Sequence, residues 1–139
     1  IRRPPRSTLS PSSAASDVYK RQIIIRKGDR ALEVTALFDT GSRGSYISEK
    51  LAEKLGFEKF REVKRVPLAV KGKYAEIIGD VVVSLIVDGY ELPERELLGV
   101  IRDLAVDVII GLNIMEKYGI YIENDELKFR HKPPSSAIL

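Results

Sequence analysis

The sequence predicts an all-β domain that contains one or two short helices. Three observations predict this class: short runs rich in Ile, Val and Tyr, turn signals between these runs, and only one stretch with a clear helical period. The chain has 139 residues, of which 44% are hydrophobic. This length and composition suffice for one domain with its own core and are too small for two.

The first elements form a predicted hairpin. Residues 23–27 and 31–38 are β-type runs, and the turn signal Gly28-Asp29-Arg30 separates them. The second run becomes wholly apolar as it approaches Asp39, which is typical of a strand buried on both faces. A carboxylate therefore follows directly on a strand of the core.

A helix of about two turns is predicted over residues 48–56. Ser48 is a suitable N-cap, Glu49 suits the positive end of the helix dipole, and Gly56 is a suitable C-terminal stop. The apolar stripe of this helix consists of Leu51, Ala52 and Leu55.

The middle of the chain is predicted to be a series of strands. Lys71-Gly72-Lys73, Gly79-Asp80 and Asp88-Gly89 separate β-type runs, and Asp-Gly is a strong hairpin signal. The predicted strands cover residues 63–70, 74–78, 81–87 and 90–101.

The C-terminal part is predicted to contain a buried strand, a second short helix and a final hairpin. The strand covers residues 106–110 and stops at Gly111, and the helix covers residues 112–118. The hairpin covers residues 120–129, with its turn at Asn124-Asp125.

Residues 1–22 and 133–139 are predicted to be tails on either side of a domain that covers residues 23–132. The first tail is rich in Ser, Pro and Arg and has no helix or strand period, so we expect it to be disordered. It also resembles translated sequencing-adapter read-through, and we expect it to be an artefact. The sequence contains neither the apolar region of a signal peptide nor an apolar run long enough to cross a membrane. We therefore expect a cytoplasmic protein.

Charge and composition exclude several classes of function. Residues 1–21 contain five basic side chains and one acidic side chain, a net charge of +4, so the rest of a chain of net charge +3 carries −1. A nearly neutral domain with mixed charges is not the pattern of a nucleic-acid-binding face. The chain has no Cys and one His, His131, which excludes disulfides, thiol chemistry and a histidine-rich metal site. We expect no metal and no cofactor.

The motif Asp39-Thr40-Gly41-Ser42 is the part of the sequence with chemical significance. A carboxylate at the end of a buried strand loses hydration, which hydrogen bonds or another charge must replace. A tight turn at Thr40 and Gly41 aims backbone N–H groups at the carboxylate. A second carboxylate about 3 Å away would share a proton with the first, so that one deprotonates a water while the other donates a proton.

The surroundings of this motif resemble those of the retropepsin-like aspartic proteases, especially the small cellular members found in bacteria and archaea. The motif leads through Tyr46-Ile47 into a short helix, and about seventy residues after Asp39 the run Ile109-Ile110-Gly111 precedes another short helix. The resemblance covers residues 23–130. It implies the acid-protease fold, a closed β-barrel that functions as a C2 homodimer.

The resemblance implies roles for the residues of the motif. Asp39 is the catalytic residue, and the Thr40 hydroxyl ties the two active-site loops together across the dimer. Gly41 contacts the carboxylates through its backbone, and Ser42 belongs to the same supporting loop. The sequence contains this motif only once, so the second carboxylate of a dyad must come from another subunit.

The resemblance also places a flap and a second loop. The flap is a hairpin over residues 66–78 that closes over the substrate, although its tip is equally typical of a plain turn. In retroviral members acidic residues follow the motif, and one of them pairs with an arginine after the later glycine. Here these places hold Arg43, Gly44 and Leu112, so that ion pair is absent. The flap and substrate residues are Lys71, Gly72, Lys73 and Tyr74. The second loop, which packs beneath the motif, consists of Ile109, Ile110 and Gly111.

The function implied is that of an aspartic endopeptidase, which hydrolyses peptide bonds with a water activated by the dyad. The partners expected are a second copy of the chain and a peptide or protein substrate, with no nucleic acid and no membrane. We expect an extended substrate in an apolar cleft, because the nearby strands are rich in Ile and Val. The alternative is a catalytically inactive dimerisation or peptide-binding module of the same fold.

Overall fold

The computed structural model of the chain describes residues 17–67 and 72–131. These residues form a mostly β protein with two short helices, as the sequence predicts. The elements are Val18–Lys27 (β1), Arg30–Asp39 (β2), Tyr46–Ser48 (β3), Glu49–Leu55 (α1), Glu58–Pro67 (β4), Tyr74–Val87 (β5), Tyr90–Glu91 (β6), Glu96–Ile101 (β7), Val108–Ile110 (β8), Leu112–Lys117 (α2), Ile120–Glu123 (β9) and Glu126–Phe129 (β10).

The main sheet has the strand order β1-β2-β8-β3-β7-β5-β4, and β6 pairs with β5. Because β1 also pairs with β5, with Ile25 opposite Leu85, the pairings of six strands return to their starting point and form a ring. Strands β9 and β10 form a separate two-stranded sheet. Neither helix in the described residues is long and apolar enough to cross a membrane.

Strand β8 lies between β2 and β3. It runs parallel to β2, with Leu37 opposite Ile109, and antiparallel to β3, with Tyr46 opposite Ile109. The chain that joins β2 to β3, residues 40–45, therefore passes the end of β8 where α2 begins. Because the sequence predicts that this segment supports a catalytic aspartate, we call residues 40–45 the active-site loop.

The core consists mainly of β-branched residues from the strands of the ring. Burial of one such side chain stabilises the fold by about 1.5–3 kcal/mol. The two helices contribute Ala52 and Ile114, both fully buried. Large side chains with less than 2% exposure include Ile25, Phe38, Val83, Leu98 and Ile110.

The ends of α1 follow the predicted caps. The Ser48 hydroxyl accepts a hydrogen bond from the Leu51 N–H at 3.3 Å, and the Gly56 N–H donates to the Ala52 carbonyl at 2.8 Å. Gly56 has a φ of 85°, which glycine adopts without a steric penalty. The predicted caps of this helix are therefore confirmed.

The turns predicted at residues 28–30, 88–89 and 124–125 are also present, although Arg30 of the first already belongs to β2. Lys27 pairs with Arg30 across Gly28-Asp29, and Val87 pairs with Tyr90 across Asp88-Gly89. In the last hairpin, Asn124 and Asp125 have φ angles of 53° and 60°. Positive φ at both central residues is the geometry that matches the twist of paired strands.

The first strand begins earlier than predicted. β1 starts at Val18, which pairs with Asp39, so residues 18–22 belong to the sheet, although the sequence assigns them to the tail. Backbone pairing along the free edge of β2 extends the strand regardless of the polar side chains of this segment. Residues 1–16 of the predicted N-terminal tail and the whole predicted C-terminal tail, 133–139, lie outside the described residues.

The turn predicted at Gly79-Asp80 is wrong. β5 is one strand of 14 residues that passes through this dipeptide and shifts register against β7 between Ile77 and Gly79. A Cβ atom at Gly79 would lie 2.2 Å from the Glu58 carbonyl oxygen. The glycine therefore permits close approach of β4 at an irregularity of the strand, which is a second common use of glycine.

Three other strand boundaries differ from the prediction. β4 begins at Glu58 instead of residue 63, and β8 begins at Val108 instead of residue 106. The arm predicted over residues 90–101 is divided into β6 and β7. Pro93 lies in this interruption, where it has no N–H to donate to a ladder.

Candidate active site

Asp39 is the last residue of β2 and is fully buried, with 0% exposure. Buried apolar residues lead into it, because Leu37 and Phe38 lie against Ile109 and Ile110 of the parallel strand β8. Ile109 and Ile110 thus lie beside the strand that carries the aspartate. The packing of β2 and β8 fixes the point at which the carboxylate leaves the strand.

The two carboxylate oxygens of Asp39 are in different environments. Oδ1 accepts a hydrogen bond from the Gly41 N–H at 2.8 Å. Oδ2 is buried and has no hydrogen-bond partner within the described residues. An unsatisfied buried acceptor costs about 1–3 kcal/mol, so this oxygen would gain stability from a proton, a water or a second acid.

The Thr40 side chain is occupied within its own chain. Its Oγ1 accepts a hydrogen bond from the Asp17 N–H at 2.8 Å, and the Thr40 N–H donates to the Asp17 carbonyl at 2.9 Å. The Thr40 hydroxyl also donates a hydrogen bond to that carbonyl at 3.3 Å. The role of Thr40 across a dimer therefore stays a prediction.

The start of α2 holds the active-site loop through backbone hydrogen bonds. The Leu112 N–H donates to the Ser42 carbonyl at 2.7 Å, and the Asn113 N–H donates to the Arg43 carbonyl at 3.0 Å. A Cβ atom at Gly111 would lie 2.1 Å from the Gly44 carbonyl oxygen. Only glycine at position 111 allows the loop and the helix to approach this closely.

Two buried serines complete the loop. The Ser45 hydroxyl accepts the Gly111 N–H at 2.9 Å and donates to Asn113 Oδ1 at 2.7 Å. The Ser42 hydroxyl donates to the Gly44 carbonyl at 2.8 Å. Sequence reasoning missed Ser45 and Asn113, because their bonds join segments 66 and 68 residues apart. A serine three residues after the motif was the only available signal.

The active-site loop, the end of β4 and the start of α2 enclose a groove of about 930 Å³. Thr40 and Arg43 line it from the loop, and Val66 and Pro67 line it from β4. Tyr46, Asn113 and Glu116 are among the other lining residues. The groove therefore combines apolar, polar and charged side chains, in contrast to the apolar cleft expected from the sequence.

The ring of Tyr46 lies against two glycines beside this groove. A Cβ atom at Gly44 would lie 2.6 Å from the Tyr46 hydroxyl oxygen, and one at Gly99 would lie 3.0 Å from its Cδ1. Burial raises the pKa of Tyr46 above its ordinary value. The ring thus forms a fixed aromatic surface on one side of the groove.

The predicted flap is described only in part. β4 and β5 pair as a hairpin, with Val66 opposite Ala75 and Pro67 opposite Tyr74. Lys71 lies outside the described residues. Gly72 has a φ of 81°, and Tyr74 is 56% exposed. Gly72, Lys73 and Tyr74 do not line the groove, whereas the opposite arm of the hairpin does.

A buried carboxylate anchors the far side of α2. Glu96 is 8% exposed, and its Oε2 accepts hydrogen bonds from Lys117 Nζ at 2.8 Å and from the Tyr118 hydroxyl at 2.5 Å. Burial and the hydrogen bond to Glu96 raise the pKa of Tyr118 to about 12. Hydrogen bonds to Glu94 and Glu96 raise the pKa of Lys117 above its ordinary value.

The described residues contain no group of three His, Cys, Asp or Glu side chains that could hold a metal ion.

Comparison with known structures finds the same fold. The retroviral protease-like domain of Ddi1 from Leishmania major has a TM-score of 0.58 at 21% identity, over 83% of this chain and 91% of that domain. EIAV protease in complex with the inhibitor HBY-793 has a TM-score of 0.57 at 17% identity, over 77% of this chain and 93% of that one. A retropepsin-like aspartic protease from Rickettsia conorii has a TM-score of 0.53 at 22% identity, over 83% and 92%.

Sequence comparison gives the family. No curated protein is significantly similar to the chain. The family model described as aspartyl protease matches residues 22–123, which include both Asp39 and Gly111. This match covers most of the sequence and agrees with the structural similarity. The chain belongs to the aspartyl protease family and has the fold of its retropepsin-like members.

Proposed function

We propose that this protein is an aspartic endopeptidase that works as a C2 homodimer, with one Asp39 from each subunit. The observation that carries the proposal is the asymmetry of the Asp39 carboxylate, in which Gly41 holds Oδ1 and Oδ2 is buried without a partner in the described residues. A second Asp39 across a two-fold axis would supply a partner for this oxygen. We also propose that the ring of six strands is the closed barrel expected from the sequence.

The proposed reaction follows from two carboxyl groups that share one proton. The ionised carboxylate removes a proton from a water as the water oxygen attacks the peptide carbonyl carbon. The protonated carboxyl stabilises the developing oxyanion by a hydrogen bond. The C–N bond then breaks as the nitrogen takes the proton that the first carboxylate removed from the water, and the products are a carboxylic acid and an amine.

The proposed role of the active-site loop is to hold Asp39 at a fixed orientation. Backbone hydrogen bonds from Leu112 and Asn113, together with the Ser45 hydroxyl, anchor the loop to α2. A carboxylate held in this way needs little reorganisation when charge develops in the transition state. The rate should therefore depend on these anchoring residues as well as on Asp39.

The alternative is a module of the same fold that binds peptides without cleaving them. Two observations favour it: Asp39 is fully buried in the single chain, and Thr40 is engaged with Asp17. For catalysis, dimer formation must open the site on the Oδ2 side. The alternative requires no such opening.

The test combines sedimentation with digestion of a peptide library at pH 3 to 7 by wild type and Asp39→Asn. We expect a wild-type dimer that cleaves peptides and a loss of at least about a hundredfold for Asp39→Asn, because the amide cannot act as a base. Asp29→Asn, at an exposed turn, is the matched control and should cleave like wild type. Equal turnover by wild type and Asp39→Asn, or none by either, would favour the alternative.

A further inference from the structure

Arg43 has a fixed backbone and an exposed side chain in the groove beside Asp39. It is four residues after Asp39, and its carbonyl accepts the Asn113 N–H at 3.0 Å. Its side chain is exposed and lines the groove together with Gly41 and Tyr46. A cationic side chain therefore extends from a fixed backbone position along the groove where a substrate would bind.

The charge of Arg43 is not used by the described part of the protein. Other arginines form ion pairs there, such as Arg26 with Glu91 and Arg102 with Glu76. The Arg43 guanidinium makes no ion pair, hydrogen bond or ring contact within residues 17–67 and 72–131. Glu116 lines the same groove and is not within ion-pair distance of it. The guanidinium is thus free to meet an anion from outside the chain.

The neighbourhood of Arg43 favours a carboxylate on a short side chain. A guanidinium presents paired N–H donors that match the two oxygens of a carboxylate. The Tyr46 ring, fixed against Gly44 and Gly99, supplies an aromatic surface for the methylene groups next to that carboxylate. Asp and Glu carry both features, whereas an apolar side chain would leave the cation unpaired.

We propose that Arg43 is a specificity residue which binds the carboxylate of an Asp or Glu side chain, so that the protein selects acidic peptides. This inference rests on the proposed function, because it assigns a substrate class to the same groove. It also changes the expectation from the sequence, in which the cleft is apolar.

The test uses Asp39→Asn protein and labelled peptides with amidated C-termini that differ only in Glu, Gln or Lys at one position at a time. We expect one position at which Glu binds at least about tenfold more tightly than Gln or Lys, a difference of about 1.4 kcal/mol. When Arg43→Glu is added to the Asp39→Asn protein, the peptide with Lys at that position should bind more tightly than the peptide with Glu. Wild-type kcat/KM values should follow the same order.

The matched control is Arg95→Glu, which makes the same charge change at an exposed arginine outside the groove lining. This variant should keep the preference for Glu. If Arg43→Glu does not fold, Arg43→Gln should abolish the preference and Arg43→Lys should keep part of it. Preference retained in Arg43→Gln, or lost equally in Arg95→Glu, would overturn the proposal. As a further probe, the Gln peptide is also made with a free C-terminus; tighter binding of this peptide than of the amidated Glu peptide would also overturn the proposal.

The outcomes separate this inference from the proposed function. Peptide cleavage without any charge preference would overturn the role of Arg43 and leave the endopeptidase proposal intact. Charge-dependent binding that Arg43→Glu reverses, with no cleavage by wild type, would support the role of Arg43 and favour the peptide-binding alternative.

Discussion

At the scale of single residues, Asp39 owes its environment to both its neighbours in sequence and distant segments. The motif itself supplies the Gly41 N–H that holds Oδ1. The burial of Oδ2 depends on packing, which no local pattern reveals. The sequence therefore predicts which acid is important, and the structure adds how its two oxygens differ.

Ser45 and Asn113 illustrate what the sequence could not predict. Each is polar and small enough for an ordinary turn, and only the folded chain brings the Ser45 hydroxyl to Gly111 and Asn113. Arg43 was noted as a departure from the retroviral pattern, but its place in the groove required the structure. Contacts of this kind depend on the parallel pairing of β2 and β8.

Replacement of Ser45 by Ala should weaken both stability and activity. It would leave the buried Gly111 N–H without an acceptor, which should lower the free energy of unfolding by about 1–3 kcal/mol. Denaturant unfolding measures this change, and Ser84→Ala on β5 is the control. Equal midpoints for the two variants would show that the Ser45 bonds do not support the loop.

Replacement of Gly111 by Ala should be more damaging. The new Cβ would lie 2.1 Å from the Gly44 carbonyl oxygen, which is backbone and cannot rotate away. Gly28→Ala is the comparison, because it has open space but a φ of 61° and should cost about 1–2 kcal/mol. Thermal unfolding of both variants tests this order. A Gly111→Ala protein as stable as Gly28→Ala would contradict the close packing of α2 on the loop.

At the scale of secondary-structure elements, local signals predicted the turns and the helix caps. Gly28, Asp88-Gly89 and Asn124-Asp125 adopt positive φ angles, and Ser48 caps α1. These features depend on backbone geometry within a few residues. The start of β1 and the continuity of β5 were missed, because both depend on pairing with strands distant in sequence.

Helix α2 is the element that connects the active-site loop to the rest of the chain. Its N-terminal end holds the loop, and its C-terminal end is anchored by Lys117 and Tyr118 on Glu96. Changes at the distal end should therefore reach the active site through the orientation of the helix.

The anchor of α2 should make stability fall in alkaline solution. The pKa of Tyr118 is raised to about 12 from an ordinary value of 10, so the folded state favours the protonated phenol. This contribution is fully present below about pH 10 and is lost as the pH rises towards 12. The free energy of unfolding of Tyr118→Phe should be lower than that of wild type by about 1–2 kcal/mol at pH 8. It should also fall less steeply than that of wild type as the pH rises.

The measurement is the free energy of unfolding by urea between pH 8 and 12, for wild type and Tyr118→Phe. Glu96→Gln, which keeps the side-chain volume and removes the charge, should also reduce the slope, because it removes one cause of the raised pKa. Equal slopes for wild type and Tyr118→Phe would show that Tyr118 does not contribute to this dependence.

At the scale of the whole molecule, the family was predictable from two features of the sequence. These are the motif at Asp39 and the run Ile109-Ile110-Gly111 about seventy residues after it. The closure of the strand ring was not predictable, because β1 and β5 pair with more than 50 residues between them. The dimer is likewise not a property of the single chain. Because the sequence contains the motif only once, the proposed chemistry with two carboxylates requires a second subunit.

A dyad that spans two subunits predicts dominant inhibition by an inactive subunit. When wild type and Asp39→Asn are mixed in equal amounts and allowed to exchange, one quarter of the dimers should contain two wild-type chains, by random pairing. Turnover per unit of added wild type should then fall to about half. The same mixture measured before exchange is the control. Unchanged turnover after exchange would mean that one chain carries the activity alone.

The most direct test is an experimental structure of the assembled protein in which the distance between the two Asp39 carboxyl groups is measured. The proposal predicts a C2 dimer with carboxylate oxygens of the two subunits about 3 Å apart, close enough to share a proton. A monomer at concentrations where peptides are cleaved, or a dimer with the two Asp39 side chains remote from each other, would contradict it.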